Sequence, residues 1–362
     1  MAAPSIDFFS TYNLIAAVKQ IVPRASFFRD RYFPTAARDL FKADKVLVEY
    51  QDGDNRMAPF VAPRVGDIPI DRYGYEVSEY APPRIAPSRI LTVDDLEKRG
   101  FGEAILSDST EAQRAARLIV EDMEFLDNRI ARREEWMCAQ TIINNGCTVQ
   151  EYLDANTQGE ARQIKYYTGL TSDHTYTINP AKRWDTSNGN FFGDGKTMAR
   201  MLSKRGLRAA DLLLGTDVAD AVLQREDVQK LLDKNSGIII GEIDQALSQY
   251  DGVVYMGTLN FGGFKLNLIC VDEIYVDDSG AEAKYFPATS AAVTAPGAGH
   301  LMYGKVTQIN HGSTEFTTHV ATRVPKLLVN EEDDIRKLRL TARPLAAPHN
   351  RSPWIYAANA VG

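Results

Sequence analysis

"VLVEYQDGDNRMAPFVAPRVGDIPIDRYGYEVSEYAPPRIAPSRIL", residues 46 to 91, opens as a strand and closes among prolines. Apolar Val46, Val48 and Tyr50 alternate, and Asp52-Gly53 is a turn signal, so the stretch reads as a hairpin. Six of the chain's 16 prolines (59, 63, 69, 82, 83 and 87) fall here. Proline cannot donate to a sheet ladder, which confines such strands to edges or free extensions. A long, partly apolar hairpin with no evident sheet to join is expected to find its partner on another subunit; an edge hairpin of an ordinary domain is the alternative.

On the N-terminal side, residues 1 to 43 are broken at Pro4, Pro23 and Pro34 and rich in aromatics, among them Phe27, Phe28 and Tyr32. Such a segment has no core of its own and is expected to lie as an arm across something else. On the C-terminal side, "SDSTEAQRAARLIVEDMEFLDNRIARREEWMCAQTII" (107 to 143) repeats apolar residues at helical spacing: Ala115, Ala116, Ile119, Met123, Leu126, Ile130, Met137 and Ile142. It predicts one amphipathic helix with Ser109 as N-cap, an Arg117/Glu121 pair and Gly146 as terminator. At 1.5 Å per residue it spans roughly 50 Å, more a spine than a typical globular helix. A coiled coil is the rival, but the heptad is not sustained.

Residues 148 to 190 are polar and broken, with strand-like "KYYTGL" and "HTYTIN". A helix "KTMARMLSKRG" follows, then "AADLLLGTDVADAVLQREDVQKLLDK", an apolar strand turning into a helix. Short strands follow ("GVVYMGTL", "FKLNLICV", "EIYV", "HLMYG", "EFTTHVATRVPKLLV"), separated by turns at Gly262-Gly263 and Gly297 to Gly299, before a tail of adjacent acidic and basic blocks. Strands and helices interleave without a βαβ period, which indicates α+β.

The totals fit a globular protein: 362 residues, 44% hydrophobic, 25% charged. A net charge of −7 repels a polyanion, so any nucleic-acid contact must be local. No stretch nears the ~18–20 apolar residues that span a bilayer, and the N-terminus lacks a basic region before its apolar residues. Neither export by a signal peptide nor membrane insertion is expected. Three cysteines (Cys138, Cys147 and Cys270) without zinc spacing fit small hydrophobes in a reducing cytoplasm.

Chemical signatures fail one by one. "NGNFFGDGKTMAR" (188 to 200) ends like a phosphate-binding loop, but G-x-x-x-x-G-K-[ST] needs a glycine at 190, where Asn190 stands, and no apolar strand precedes it. Asn188-Gly189 and Asp194-Gly195 read instead as turns before a helix at Lys196. "DGDN" (52 to 55) starts like a calcium loop but continues with Arg56, so it reads as a solvated turn. His300, His311 and His319 are irregularly spaced and read as satisfied or exposed side chains. The acidic run Glu331 to Asp334, followed by Arg336, Lys337 and Arg339, reads as a solvated face, or functionally as ion pairing with a neighbouring subunit. No catalytic, cofactor-binding or metal site is assigned. The weight shifts toward a structural protein.

The order of parts resembles the tailed-phage major capsid proteins of the lambda-like type, the family called major capsid protein E. The resemblance is carried by "FFRDRYFP" (27 to 34), "YEVSEYAPPRIAPSRIL" (75 to 91), "RREEWMCAQTIINNG" (132 to 146) and "DLLLGTDVADAVLQREDVQKLLD" (211 to 233), and it spans roughly 27 to 330. It implies the Hong Kong 97 capsid fold: an N-terminal arm (1–43), an E-loop hairpin (44–92), a peripheral domain with the spine helix (93–200), an axial domain (201–320), and a return strand of the peripheral domain with the C-terminal tail (321–362). It also implies a head protein that assembles with itself into pentamers and hexamers, forming an icosahedral shell around double-stranded DNA held by weak, non-specific contact. Interface residues are expected at Phe27, Phe28, Tyr32, Val46, Val48, Tyr50, Asp52 and Asp54, with the charged blocks 331 to 339 selecting register. Portal and scaffolding proteins, and a decoration protein rather than covalent crosslinks, are the implied partners. The implied location is the virion, assembled in the cytoplasm of a host bacterium. A compartment shell of the encapsulin type and a soluble α+β enzyme are the alternatives.

Overall fold

The computed structural model of the chain describes residues 14, 15, 18, 24–50, 76–92, 95, 111–152, 157–166, 174–234, 247, 249–310, 314–330 and 335–362. A short helix α1 (Phe27–Tyr32) precedes β1 (Val46–Tyr50), which pairs antiparallel with β2 (Glu76–Tyr80) from Val46↔Tyr80 to Tyr50↔Glu76. The hairpin reading therefore holds at its base, whereas the Asp52-Gly53 turn, Asp54 and the "DGDN" stretch lie outside the described residues. After β3 (Ser88–Leu91) comes the long helix α2 (Glu111–Asn144).

Helix α2 has 34 residues. Of the positions picked out by periodicity, all but Ala116 are buried, and Arg117 Nε donates to Glu121 Oε1 at 2.8 Å. Ser109 lies outside the described residues. The helix stops at Asn145, which turns left-handed at φ 52°, and Gly146 follows at φ 155°, where a Cβ would run into the Ile164 carbonyl oxygen.

Strands β4 (Gly146–Tyr152) and β5 (Gln158–Lys165) pair antiparallel with an irregularity between Gln150 and Tyr152. Of the expected strand "KYYTGL", Lys165 ends β5 and Tyr167 to Leu170 lie outside the described residues, while "HTYTIN" forms an isolated bridge, Thr175 to Tyr356. Helix α3 (Phe191–Lys204) starts five residues before the expected Lys196, so Gly193 and Gly195 sit inside a helix rather than in turns. Close packing is the reason for Gly195: a Cβ there would lie 2.6 Å from the Phe261 ring. Thr197 Oγ1 donates back to the Gly193 carbonyl at 2.8 Å, so the hydroxyl of the phosphate-loop look-alike is bonded within its own helix. The helix ends as read, with Gly206 at φ 74°, its N–H on Ser203 O and that of Leu207 on Leu202 O.

The apolar strand β6 (Asp211–Leu214) leads into two helices rather than one, α4 (Thr216–Gln224) and α5 (Glu226–Lys234). Between them Arg225 is extended, and its guanidinium bonds Trp184 O, Gly189 O and Asp227. Next come β7 (Val253–Phe261), β8 (Phe264–Val271), β9 (Ile274–Val276), β10 (Glu282–Lys284), β11 (Ala291–Thr294), β12 (Gly299–Tyr303), β13 (Val306–Ile309), β14 (Phe316–His319), β15 (Val324–Asn330), β16 (Ile335–Thr341), β17 (Pro344–Pro348) and β18 (Ile355–Ala357). A five-stranded sheet has the order β18-β11-β6-β8-β7, parallel only at β6/β8, and a three-stranded sheet the order β15-β16-β3. The mixture is α+β, as expected.

The three-stranded sheet pairs residues 88–91, the end of the segment read as a hairpin, with the chain's own β16. The tail is built in just as firmly. Strand β18 edges the five-stranded sheet, and Trp354, Ile355, Ala357, Ala360 and Val361 are buried. One apolar core packs α1, β1, the C-terminal half of α2 and β12/β17; a second joins α3 to the five-stranded sheet; a third packs the N-terminal half of α2 on β15/β16. Cys138 and Cys147 are buried and Cys270 partly so, all unpaired thiols, consistent with the hydrophobe reading.

Candidate assembly surface

Helix α1 begins on a carboxylate it does not own. The Phe28 and Arg29 N–H groups donate to the two Glu135 oxygens at 2.6 and 2.8 Å. A helix start leaves its first N–H groups unpaired, so an acid from α2 both satisfies them and meets the positive end of the helix dipole. Burial pushes the Glu135 carboxyl up to about 8, outweighing the two N–H donors that pull it down. One position earlier, Glu134 is fully buried. It takes the Arg323 guanidinium on both oxygens, at 2.6 and 2.9 Å, plus the Tyr303 hydroxyl at 3.0 Å, and Arg29 Nη1 lies 3.6 Å away. Arg323 Nε donates to Asp127, two turns back on the same face of α2.

The other side of α1 is pinned in the same way. Arg31 donates to both Asp211 oxygens at 2.7 and 3.1 Å, and the Tyr32 hydroxyl and Asn267 amide each reach Asp211 at 2.9 Å. Asp211 opens β6 and is fully buried. Helix α1 therefore bridges the spine helix and the five-stranded sheet through charge-assisted bonds, with Phe27, Phe28, Tyr32 and Phe33 in the core between them.

That placement changes the role of the arm aromatics. Phe27, Phe28 and Tyr32 are 0% exposed inside their own chain, so they leave no area for a partner. A period-4 to period-5 aromatic repeat on a short helix, set beside two arginines, fits an inward face as well as an interface, and sequence alone does not separate the two. Val46 and Val48 likewise turn into the same core, because strand alternation puts Leu47, 51% exposed, on the other face. Tyr50 occupies the last ladder position of β1, opposite Glu76; Asp52 and Asp54 lie outside the described residues. At the base of the hairpin, the Tyr80 ring packs 5.0 Å from that of Tyr166 and Lys45 pairs with Glu79 at 3.0 Å.

Apolar side chains left outside are candidates for contact with other copies: Phe316 on β14 is 77% exposed, Val276 on β9 65% and Val254 on the edge strand β7 58%. The histidines do not gather. His300 packs edge-on against His349, with centroids 4.3 Å apart, and both its ring nitrogens are buried without a hydrogen-bond partner, against the expectation of a satisfied side chain. Burial, then His349, push it down to about 4. His319 Nε2 meets Asn310 at 2.9 Å, and His311 lies outside the described residues. Among the described residues no cluster could hold a metal ion, and no helix is long and apolar enough to cross a membrane.

The missed residues are Glu134, Glu135, Asp211, Tyr303 and Arg323, and a sequence signal existed for three of them. "FFRDRYFP", "RREEW" and "DLLLG", far apart in the chain, are three sides of one buried junction.

The family model for phage major capsid protein E matches residues 10–359. No curated protein matches the sequence. Among solved structures, a putative capsid protein of a prophage of E. coli CFT073 superposes with a TM-score of 0.67 at 16% identity, covering 96% of this chain and 98% of that one. A phage-related protein of Bordetella bronchiseptica RB50 gives 0.52 at 10% identity, with 96% of each chain covered. At these identities the likeness is one of fold, and it confirms the phage-capsid architecture. The family match favours a structural head protein over the compartment shell and the enzyme. With a model covering nearly every residue and a matching fold, the chain belongs to the phage major capsid protein E family.

Proposed function

We propose that this capsid protein forms hexamers and pentamers that close into an icosahedral shell around double-stranded DNA, with the segment between β1 and β2, residues 51–75, extended over the neighbouring copy. The observation that carries the reading is the rooted base of the hairpin. Val46 and Val48 fix β1 to the chain's own core, while 25 residues, 51 to 75, join Tyr50 to its ladder partner Glu76. Doubled back on itself at ~3.3 Å per residue, that length reaches roughly 40 Å, enough to cross a neighbouring subunit. The junction around Glu134, Glu135 and Asp211 gives the lever a rigid mount.

In this reading the spine helix and the β15-β16-β3 sheet form a peripheral domain, and the five-stranded sheet an axial one. The arm is a clamp within the subunit, and the interface moves outward to Leu47, Asp52 and Asp54. Each contact is modest; a closed shell makes stability collective. A net charge of −7 suits a container, since a strongly basic wall would hold DNA too tightly for packing and release. The shell is locked by a decoration protein, is built with scaffolding and portal partners in the host cytoplasm, and ends in the virion. Electron microscopy of the purified protein tests this reading: shells, tubes or capsomers support it, and dispersed single subunits at high concentration oppose it. DNA-filled, tailed particles distinguish a virion head from a compartment.

A further inference from the structure

A cleft of about 710 Å³ lies between α2, β4 and the β15-β16-β3 sheet. Arg84, Lys337 and Arg339 line it above an apolar floor that includes Trp136, Met137 and Val149. Two acids also line it, but both are engaged: Glu151 with Arg162 at 3.4 Å and Asp278 with Arg133. Arg339 stands directly across the ladder from Lys326, a like-charge pair of the kind that weakens a sheet. The Arg339 Nε atom is buried with no hydrogen-bond partner, and Arg84 and burial together lower its proton affinity. Among the described residues no carboxylate pairs with Arg84, Lys326, Lys337 or Arg339. In a chain of net charge −7, this concentration of positive charge has no carboxylate partner among the described residues.

The chain also carries a complement. Glu331-Glu332-Asp333-Asp334 is its only run of four acids and joins β15 to β16, whose ladder is complete up to Asn330↔Ile335. The described ladder ends at Asn330↔Ile335, and Lys337 and Arg339 sit roughly 7 and 13 Å further along the strand from Ile335 at ~3.3 Å per residue. We propose that the acidic run 331–334 of one copy seats in the Arg84/Lys337/Arg339 cleft of a second copy. Each copy then brings one plug and one socket, a head-to-tail contact of the kind that closes rings. The concave, apolar-floored shape suits peptide side chains better than duplex phosphates, which favour open basic surfaces. The inference rests on the shell reading.

The test uses the full chain. Separately made Glu332→Cys and Lys337→Cys proteins are co-assembled and oxidised, with Glu332→Cys plus Lys265→Cys as control. A disulfide-linked dimer is expected in the first mixture and not in the control. In parallel, R84E/K337E/R339E is expected to lose assembly at concentrations where the parent assembles fully, and to regain it when mixed with E331K/E332K/D333K/D334K. If either charge variant fails to fold, the cysteine pair decides. Shells that form without the dimer, or that form equally well from the reversed cleft, overturn the inference and leave the shell reading standing. A parent that forms no particles at all overturns the shell reading instead. Loss of binding to a 30-base-pair duplex on reversing the cleft, with assembly unchanged, assigns the cleft to nucleic acid and also overturns the inference.

Discussion

Replacing Arg323 by alanine isolates the energetics of the arm junction. The side chain is nearly enclosed; its Nη1 and Nη2 donate to the two Glu134 oxygens and its Nε to Asp127. Removing it strips both buried carboxylates of this partner and leaves Glu134 with Tyr303 and a more distant Arg29. Breaking a buried pair in this way costs about 3–5 kcal/mol, because an uncompensated charge stays out of water. At roughly 2 °C per kcal/mol for a chain of this size, Tm of the unassembled protein should fall by about 6–10 °C. The triple variant R323M/E134Q/D127N removes charge and counter-charge together, and should recover most of that loss. Differential scanning calorimetry of the three proteins at neutral pH and low concentration gives the comparison. A single-variant loss under ~1 kcal/mol, or a triple variant no better than the single one, refutes the claim that charge pairing fixes the arm.

Glu135 makes stability depend on pH. Its folded pKa is about 8 against an ordinary 4.5, so the folded state holds the proton longer, and stability falls as pH rises between those values, by at most about 4–5 kcal/mol. Unfolding midpoints at pH 5, 6.5 and 8 should show that slope, and Glu135→Gln should reduce it; burial pushes Glu273 up to about 7 in the same sense, and His300, depressed to about 4, acts in the opposite sense below pH 6.5, both common to the two proteins. Phe28→Ala should cost about 3–5 kcal/mol as a core truncation, whereas Leu47→Ala should stay within ~0.5 kcal/mol in the unassembled protein and show its effect only in shell yield. Gly195→Ala should lose about 1–3 kcal/mol by pushing a methyl into the Phe261 ring. Denaturing gels of mature particles should show single subunits; ladders would replace the decoration reading with covalent crosslinking.

The sequence made the long elements legible and the junctions not. Helix α2 could be read because its apolar stripe, Ile119 to Ile142, keeps helical spacing along most of the 34-residue helix. The β1/β2 base could be read from the alternation of Val46 and Val48. Helix α3 was misplaced because Asp194-Gly195 signals a turn locally, while the constraint Gly195 answers, the Phe261 ring, comes from a strand more than sixty residues away. The burial of the tail comes from distant partners: Ile355 pairs with β11 and Trp354 packs 5.7 Å from the Phe33 ring. A buried aromatic and an aromatic awaiting a partner have the same sequence signature; the burial of Phe27, Phe28 and Tyr32 comes from segments distant in the chain.

Cryo-electron microscopy of the assembled particle tests the central claim most directly, by tracing residues 51–75 from the anchored strands β1 and β2. The account predicts density for that segment lying across the adjacent subunit, with α1 still clasped by Glu135 and Asp211 of its own chain. Density that returns over its own subunit, or a purified protein that stays a compact monomer at high concentration, would contradict it.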